Sequence, residues 1–271
     1  MNNHHTTKIQ QIALMYQYQQ LLTSNKPHKF SFDDVGFRVF SQFNEDGILL
    51  YIFSLIGTTN RKCIEMCSGV GYESNTANLI VNHAWNGLLL DGDQKATNMS
   101  KEFFSNHPDT FWLPPTIAQE WITADNVNDI IERYNFEGEI DLLSLDLDGV
   151  DYWIWTAIEN IRPRVVVAEI NDLWPADVSV AIHYQDNFQY SNDKEGYVGA
   201  SLGAWIKLAK SKGYRLVGRN RNCLNAFFVR NDIKCPLLPT IKAEDFFDIP
   251  AIQRKQTAFR EKLDIDDWVL V

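Results

Sequence analysis

The feature that most constrains the fold of this chain is a regular alternation of short apolar runs with helix-like segments. The runs at 62–67, 87–90, 140–147 and 164–170 are four to eight residues long, the length of a buried strand. A weaker run lies near 111–113. Because parallel strands need crossover connections, strands separated by helices predict a parallel, doubly wound sheet.

The pattern changes after residue 200. A segment with helical spacing over 201–212 is followed by two apolar runs, 213–219 and 225–230, with only a short polar turn between them. Strand, turn and strand without an intervening helix predict an antiparallel hairpin. The expected fold class is therefore α/β, with a mostly parallel, seven-stranded sheet that ends in this hairpin.

Three regions are expected along the chain. Residues 1–60 form an N-terminal helical extension, 61–232 form the α/β domain, and 233–271 form a C-terminal helical appendage of the same domain. Within the extension, apolar residues at helical spacing predict a first helix that ends at 26–27, and 41–47 begins a capped amphipathic helix. The first helix is expected to pack on the domain or to join two copies in a homo-oligomer.

Composition and charge exclude several classes of protein. A net charge of −10 argues against binding nucleic acid mainly through its phosphates, since that mode needs a basic surface. No apolar run reaches the roughly 18 residues of a membrane span, and the first residues lack the apolar core of a signal peptide. Four cysteines do not make a disulfide framework at this length. We therefore expect a reduced, cytoplasmic protein.

A glycine-containing turn at 67–71 follows the first strand, and Asp91 ends the second strand about twenty residues later. Glycines let the backbone approach a ligand, and a carboxylate at the second position can accept both ribose hydroxyls of a nucleoside. The turn carries no lysine or arginine, and Glu65 and Glu73 would repel a pyrophosphate. S-adenosylmethionine, a nucleoside with a cationic sulfonium and no phosphate, suits this acidic pocket better than NAD.

Four segments of the sequence resemble a group of bacterial FkbM-like methyltransferases: 65–76, 85–93, 146–152 and 199–202, within a similarity that covers roughly 41–230. The resemblance implies a class I methyltransferase fold, which is Rossmann-like. It also implies S-adenosylmethionine at the glycine turn, ribose on the acid after the second strand, and a sugar or small-molecule hydroxyl as acceptor.

One residue of the turn departs from this pattern. Cys67 stands where methyltransferases commonly have the first glycine, which puts the close contact with the cofactor there in question. The residues expected to bind the cofactor are Glu65, Ser68, Gly69, Gly71, Asn75, Asp91 and Asp146.

Pairs of polar residues end two strands, Asp146 with Asp148 and Glu169 with Asn171. Since residues i and i+2 share a face of a strand, the four are expected to converge at the carboxyl edge of the sheet, where ligands bind in open α/β folds. Oxygen ligands suit a hard cation such as Mg²⁺ or Ca²⁺. The set resembles that of metal-dependent O-methyltransferases, whose cation lowers the pKa of the acceptor hydroxyl. In the alternative, Asp146 orients the methionine end of the cofactor, Asp148 caps the following helix and Glu169 is solvated.

The catalytic candidates are Asp148, Asp146 and His183. His183 is the one histidine in a long aperiodic stretch over 172–198, which has the length of a functional lid. It could act as general base for a hydroxyl, and plain solvation of the imidazole is the alternative.

Other functions fit parts of the pattern. The pair Asp146 and Asp148 also resembles the first motif of haloacid-dehalogenase-type phosphatases, although that motif normally opens its domain. An Asp-x-Asp glycosyltransferase, or a non-catalytic interaction module on a methyltransferase scaffold favoured by Cys67, are further alternatives. The favoured function is an S-adenosylmethionine-dependent O-methyltransferase that acts on a hydroxyl of a sugar, a glycan or a small polar metabolite, with or without a divalent metal.

Overall fold

We describe the chain from a computed structural model, which covers residues 4–25, 28–190, 196–259, 262 and 264–271. Its centre is a seven-stranded sheet, and two short strands pair with each other beside it. In chain order the strands are β1 (Lys62–Met66), β2 (Asn86–Asp91), β3 (Thr116–Gln119), β4 (Gly138–Leu145), β5 (Ile161–Glu169), β6 (Val180–Ala181), β7 (Tyr214–Arg219), β8 (Asn225–Arg230) and β9 (Val269–Leu270).

The seven strands of the main sheet lie in the order β3-β2-β1-β4-β5-β8-β7. β1 to β5 pair in parallel, and β8 lies antiparallel between β5 and β7. The predicted terminal hairpin is therefore confirmed, with its second strand next to β5. This strand order is that of the class I methyltransferase fold, so the predicted fold class is confirmed as well.

Helices connect the strands and cover the sheet. The helix α1 packs on α3. The rings of Tyr18 and Tyr51 lie edge to face there, with their centroids 4.9 Å apart. Packing on the domain was one of the two arrangements expected for the first helix, whose predicted end at 26–27 lies outside the described residues. The helices are α1 (His4–Leu21), α2 (Phe32–Val35), α3 (Glu45–Ile56), α4 (Ala77–His83), α5 (Gln94–Asn106), α6 (Val127–Arg133), α7 (Asp151–Ala157), α8 (Leu202–Ser211), α9 (Ala243–Phe246) and α10 (Pro250–Phe259).

The sheet is buried on both faces. Along β5, Val165 and Val167 belong to one hydrophobic cluster, whereas Val166 and Ala168 belong to the cluster on the other face. A strand that is covered on both sides reads as a continuous apolar run. This is the physical reason why the sequence identified the central strands.

Two local predictions were wrong. Residues 111–113 form turns, with Trp112 and Leu113 85% and 87% exposed, and the third strand begins later, where Thr116 pairs with Leu88. The helix α3 is not amphipathic, because α1 and α2 cover the side that would otherwise face water and leave residues 45–55 buried.

None of the helices in the described ranges is both long and apolar enough to cross a bilayer. The four cysteines are free thiols. Cys67 is exposed, and the other three are buried, namely Cys63, Cys223 and Cys235.

Candidate functional site

Most of the predicted site residues lie at or just after the carboxyl ends of four adjacent strands. Met66 of β1 pairs with Leu90 of β2 on one side and with Leu145 of β4 on the other, and Leu145 pairs with Ala168 of β5. The segments that follow these strands therefore leave the sheet next to one another. This is the edge at which open α/β sheets bind ligands.

The turn after β1 has a left-handed backbone at three residues, Cys67, Gly69 and Gly71, with φ of 61°, 57° and 82°. A Cβ added to Gly69 would meet no atom within 4 Å, so the backbone there faces open space. A Cβ on Gly71 would lie 2.5 Å from the hydroxyl oxygen of Ser100, so this glycine allows α5 to pack closely on the turn. Gly69 is thus the glycine that leaves room for a ligand.

Asp91 fastens the turn to the end of β2. One of its carboxylate oxygens accepts a hydrogen bond from the backbone N–H of Gly69, and the other accepts one from Asp93, both at 2.8 Å. The carboxylate stays partly exposed, so its remaining lone pairs can receive further donors. Nearby, the hydroxyl of Ser68 is buried and has no hydrogen-bond partner among the described residues.

Glu65 is buried, and residues that precede α4 donate hydrogen bonds to its carboxylate. It accepts hydrogen bonds from the hydroxyls of Ser74 and Thr76 and from the backbone N–H groups of Asn75 and Thr76. Burial raises the pKa of Glu65, and these donors oppose the rise. The side chain of Asn75 donates to the hydroxyl of Ser144 on β4 at 3.1 Å. Both residues, predicted to bind the cofactor, thus hold the start of α4 against the sheet.

Three of the four predicted metal ligands come together. Carboxylate oxygens of Asp146, Asp148 and Glu169 lie within 4.8 Å of one another. Burial raises the pKa of all three carboxyls, and for Asp146 and Glu169 the charges of neighbouring carboxylates raise it further. Without a cation these shifts favour the protonated forms of the three carboxyls.

The amide of Asn171, the fourth predicted ligand, is hydrogen-bonded to the loop that follows β5. Its amide N–H₂ donates to the carbonyls of Gly196 and Val198, and its carbonyl oxygen accepts from the backbone N–H of Leu173. The residue instead fixes the loop that follows β5. The i, i+2 spacing from Glu169 suggested a shared face, but β5 ends at Glu169 and the strand geometry does not continue.

A fourth acid at this edge was not predicted. Asp151 is fully buried at the start of α7, and its carboxylate accepts backbone hydrogen bonds from Leu147 at 2.5 Å and from Gly149 at 3.1 Å. These bonds fix the loop that carries Asp148, whose φ is 51°. An acid three residues after Asp148, in the first turn of a helix, was the available signal.

The stretch after β5 lies against the acidic edge. A Cβ on Gly149 would fall 2.2 Å from the ring of Phe188, so only glycine fits beneath that ring. The indole N–H of Trp121 donates to the carbonyl of Asp186 at 2.6 Å, and the hydroxyl of Tyr184 accepts from the backbone N–H of Ala124. These contacts tie the predicted lid to the segment after β3. Its general-base candidate, His183, has an exposed side chain and a backbone N–H that donates to the hydroxyl of Tyr197.

A cavity of about 210 Å³ adjoins the acidic group on the β5 side, and it includes Glu169, Tyr190 and Phe259 in its wall. The helix α10 contributes Lys255 and Phe259 to the wall of this cavity. The ammonium of Lys255 donates to both carboxylate oxygens of Asp172, at 2.7 and 2.9 Å. No pattern in the sequence indicated that residues so late in the chain reach this edge.

No protein-family model and no curated protein matches this chain. Solved structures that are similar to it include an S-adenosylmethionine-dependent methyltransferase from Clostridium acetobutylicum, at 12% identity with a TM-score of 0.43, which covers 80% of this chain and 98% of that one. The methyltransferase domain of bacterial CtHen1 is similar at 14% identity with a TM-score of 0.44, over 69% of this chain and 98% of that domain. These likenesses are distant, and we assign the fold from the strand order of the sheet itself.

Proposed function

We propose that the protein transfers a methyl group from S-adenosylmethionine to a hydroxyl oxygen of a sugar, a glycan or a small polar metabolite. The observation that carries this proposal is the position of the acidic group. Asp146, Asp148 and Glu169 lie at the sheet edge beside the strand ends that form the open turn at Gly69 and the partly exposed Asp91. The turn and Asp91 would hold a nucleoside, and the carboxylates would receive the proton of the acceptor.

The residues at the turn fit this cofactor. Open space at Gly69 and the unpartnered hydroxyl of Ser68 are both available to a ligand, and the remaining lone pairs of Asp91 suit the two ribose hydroxyls. The cofactor would supply an electrophilic methyl group on a sulfonium. Its positive charge suits an edge that carries Asp146, Asp148 and Asp91.

The acidic group would serve the acceptor. As the acceptor oxygen bonds to the methyl carbon, the carbon–sulfur bond breaks with its electron pair on sulfur, and the hydroxyl proton must leave. An ionised Asp146 or Glu169 can take that proton, and the raised pKa of both carboxyls favours proton transfer near neutral pH. A divalent cation held by the three carboxylates would instead lower the pKa of the hydroxyl.

The identity of the acceptor is supported by the cavity under α10 and by the resemblance to FkbM-like methyltransferases. A cavity of about 210 Å³ with aromatic residues and a carboxylate in its wall has room for one sugar ring. His183 is a weaker candidate for the base, because its side chain is exposed. The phosphatase alternative loses support, since Asp146 follows the fourth strand of the domain rather than the first.

Calorimetry with S-adenosylhomocysteine tests the cofactor site. The wild-type protein should bind it. Asp91→Asn should bind it at least about tenfold more weakly, because the substitution removes one charged hydrogen-bond acceptor for the ligand. The matched control is Asp129→Asn, an exposed acid in the first turn of α6 that should leave binding unchanged. Absence of binding by the wild-type protein, together with binding of a nucleotide sugar, would contradict the proposal.

The role of the carboxylates needs a separate measurement. Methyl transfer to a panel of sugars, read by mass spectrometry, should be lost in Glu169→Gln and Asp148→Asn while S-adenosylhomocysteine still binds. Mg²⁺ or Mn²⁺ titrated by calorimetry should bind the wild-type protein and neither variant. Full activity in EDTA would remove the cation and leave the carboxylates as proton acceptors.

A further inference from the structure

A second cavity lies far along the strands from the acidic edge. It has a volume of about 520 Å³ and is enclosed by α1, α3 and the end of α4. Thr58 and Arg61 of its wall precede β1, and Ala84 and Trp85 precede β2. The cavity therefore opens at the amino edge of the sheet, whereas the carboxylates follow the carboxyl ends of the strands.

The floor of this cavity is apolar, whereas several of its other lining residues are polar. Its floor consists of buried side chains of Leu50, Phe53, Leu79 and Trp85, and α1 forms the opposite wall. On that wall Ile12 is 41% exposed, although its side chain faces the cavity. A volume of 300–1,000 Å³ with apolar walls and a few polar groups is typical of small-molecule sites.

The lining residues that are charged at neutral pH, Lys8 and Arg61, are both basic. His83 lies beside them with a neutral imidazole, and none of the lining residues in the described part of the chain is an acid. In a protein with a net charge of −10, this is a local excess of positive charge. Burial, and to a smaller extent the charges of Lys8 and Arg61, lower the pKa of His83 to about 4.

Arg61 is available to a ligand. Within the described residues no carboxylate lies at ion-pair distance from its guanidinium, whose Nη1 reaches only the carbonyl of His83, at 3.5 Å. Its backbone is fixed, because its N–H donates to the buried carboxylate of Asp141 at 2.6 Å and its φ is 54°. Lys8 is already paired with Asp109 at 3.2 Å, so Arg61 is the principal partner for an anion.

We propose that this cavity binds a small amphiphilic anion, with an apolar body between α1 and α3 and one carboxylate or phosphate group at Arg61. A linear chain of about ten carbons is a suitable probe, since an apolar body of that size fits a cavity of this volume. The ligand would enter beside the exposed side chains of Ile12 and Tyr16. Its binding would not depend on S-adenosylmethionine or on the acidic group.

Calorimetry with decanoate, decyl phosphate, decanol and decyltrimethylammonium, each below its micellar concentration, tests the proposal. Both anions should bind more tightly than decanol, by roughly three- to fivefold, the worth of one partly exposed ion pair. The cationic amphiphile should bind least. The ratio of decanoate to decyl phosphate affinity distinguishes a carboxylate ligand from a phosphate ligand.

Variants separate the charge from the apolar body. Arg61→Gln should bring the affinity for decanoate down to that for decanol, and Lys8→Gln should do so in part. Ile12→Trp, which fills the cavity from α1, should abolish binding of both molecules. The control Lys210→Gln, an exposed cation on α8, should change nothing.

Two outcomes would overturn the proposal. One is equal binding of the anionic and cationic amphiphiles, which would indicate unspecific adsorption. The other is a dimeric wild-type protein that binds no decanoate but becomes monomeric in Ile12→Trp, which would show that a second copy of the chain occupies the cavity. Light scattering measures that second outcome directly.

Discussion

Carboxylate oxygens of Asp146 and Glu169 lie within 4.8 Å of each other at the adjacent ends of β4 and β5. Burial and mutual repulsion raise the pKa of both carboxyls above the values they have in an unfolded chain. The folded protein therefore binds more protons here than the unfolded chain does. The stabilisation from this pair is present at low pH and is lost as pH rises through the folded-state pKa values.

Glu169→Gln removes one of the two proton-binding groups and its charge. We expect the variant to gain stability relative to the wild-type protein as pH rises from about 5 to about 8.5, by roughly 1 kcal/mol or more. Urea unfolding at both pH values measures the difference. Glu132→Gln, an exposed acid on α6, is the control. If the stability difference between the wild-type protein and Glu169→Gln does not change with pH, the two carboxyls do not share a proton in the folded protein.

Cys67→Gly should leave the protein as stable as the wild-type protein or stabilise it by up to about 1 kcal/mol. Cys67 holds a left-handed φ of 61°, which costs a residue with a Cβ about 1–2 kcal/mol, and the greater chain entropy of glycine offsets part of that gain. Cys67→Val should be destabilised, because a β-branched residue tolerates this conformation least. Thermal unfolding of both variants gives the answer, and the reverse order would contradict this account of the turn.

Gly71→Ala should lower stability by about 2 kcal/mol or more, since it combines a left-handed φ of 82° with a clash against Ser100. Gly69→Ala should cost only the backbone strain, about 1–2 kcal/mol, because no atom lies near its Cβ. The two variants also differ in function, since an alanine methyl at Gly69 would project into the space proposed for the cofactor. We expect Gly69→Ala to bind S-adenosylhomocysteine more weakly while it unfolds at a higher temperature than Gly71→Ala.

The sequence predicted the sheet well because its strands are buried on both faces and the helices between them are regular. The run around Val166 is apolar without interruption, and those around Ile64 and Leu143 are mostly apolar, a pattern that has few alternatives. The segment at 111–113 was wrongly predicted to be a strand because its residues are apolar, and in the structure these residues are exposed. Its composition is that of a strand, but the pairing of the third strand begins only at Thr116.

The candidate site was predictable only where residues lie at strand ends. Asp146, Asp148 and Glu169 were found because parallel strands finish at one edge, and the structure brings these three together. The amide of Asn171 donates to the carbonyls of Gly196 and Val198 in the loop after β5, which the strand-end pattern did not predict. The contributions of Phe188 and Lys255 depend on how a loop and a C-terminal helix fold back, which local sequence does not specify.

Lys255→Met should loosen α10 with little effect on the rest of the fold. The ion pair with Asp172 and the hydrogen bonds from Gln256 to the carbonyls of Asp172 and Trp174 are the polar contacts that tie α10 to the loop after β5. Lys255 is 43% exposed, so we expect a loss of about 1 kcal/mol at most. Hydrogen exchange should show faster exchange over α10 alone, and Arg254→Met on the same helix should not change it.

His83→Asn should flatten the acid side of the pH–stability profile. His83 donates to the amide oxygen of Gln11 at 2.7 Å, and its pKa is lowered to about 4 by burial and by the charges of Lys8 and Arg61. The unfolded chain therefore binds a proton here below about pH 6.5 that the folded protein does not bind until about pH 4. The contribution of His83 to the free energy of unfolding is therefore fully present above the pKa that His83 has in the unfolded chain. It is lost as the pH falls from that value towards about 4.

Relative to His83→Asn, the free energy of unfolding of the wild-type protein should fall by up to about 3 kcal/mol between pH 6.5 and pH 4. This value is the product of the shift in the pKa of His83 and about 1.36 kcal/mol per pH unit. Urea unfolding across this range measures the loss, and His28→Asn, an exposed histidine beside Phe30, is the control. An anion bound at Arg61 should raise the pKa of His83, because it offsets the charges of Lys8 and Arg61. NMR titration of the His83 ring with and without decanoate measures this change and links the prediction to the cavity beneath α1. If the pKa of His83 is the same when decanoate is bound, the anion does not bind near Arg61.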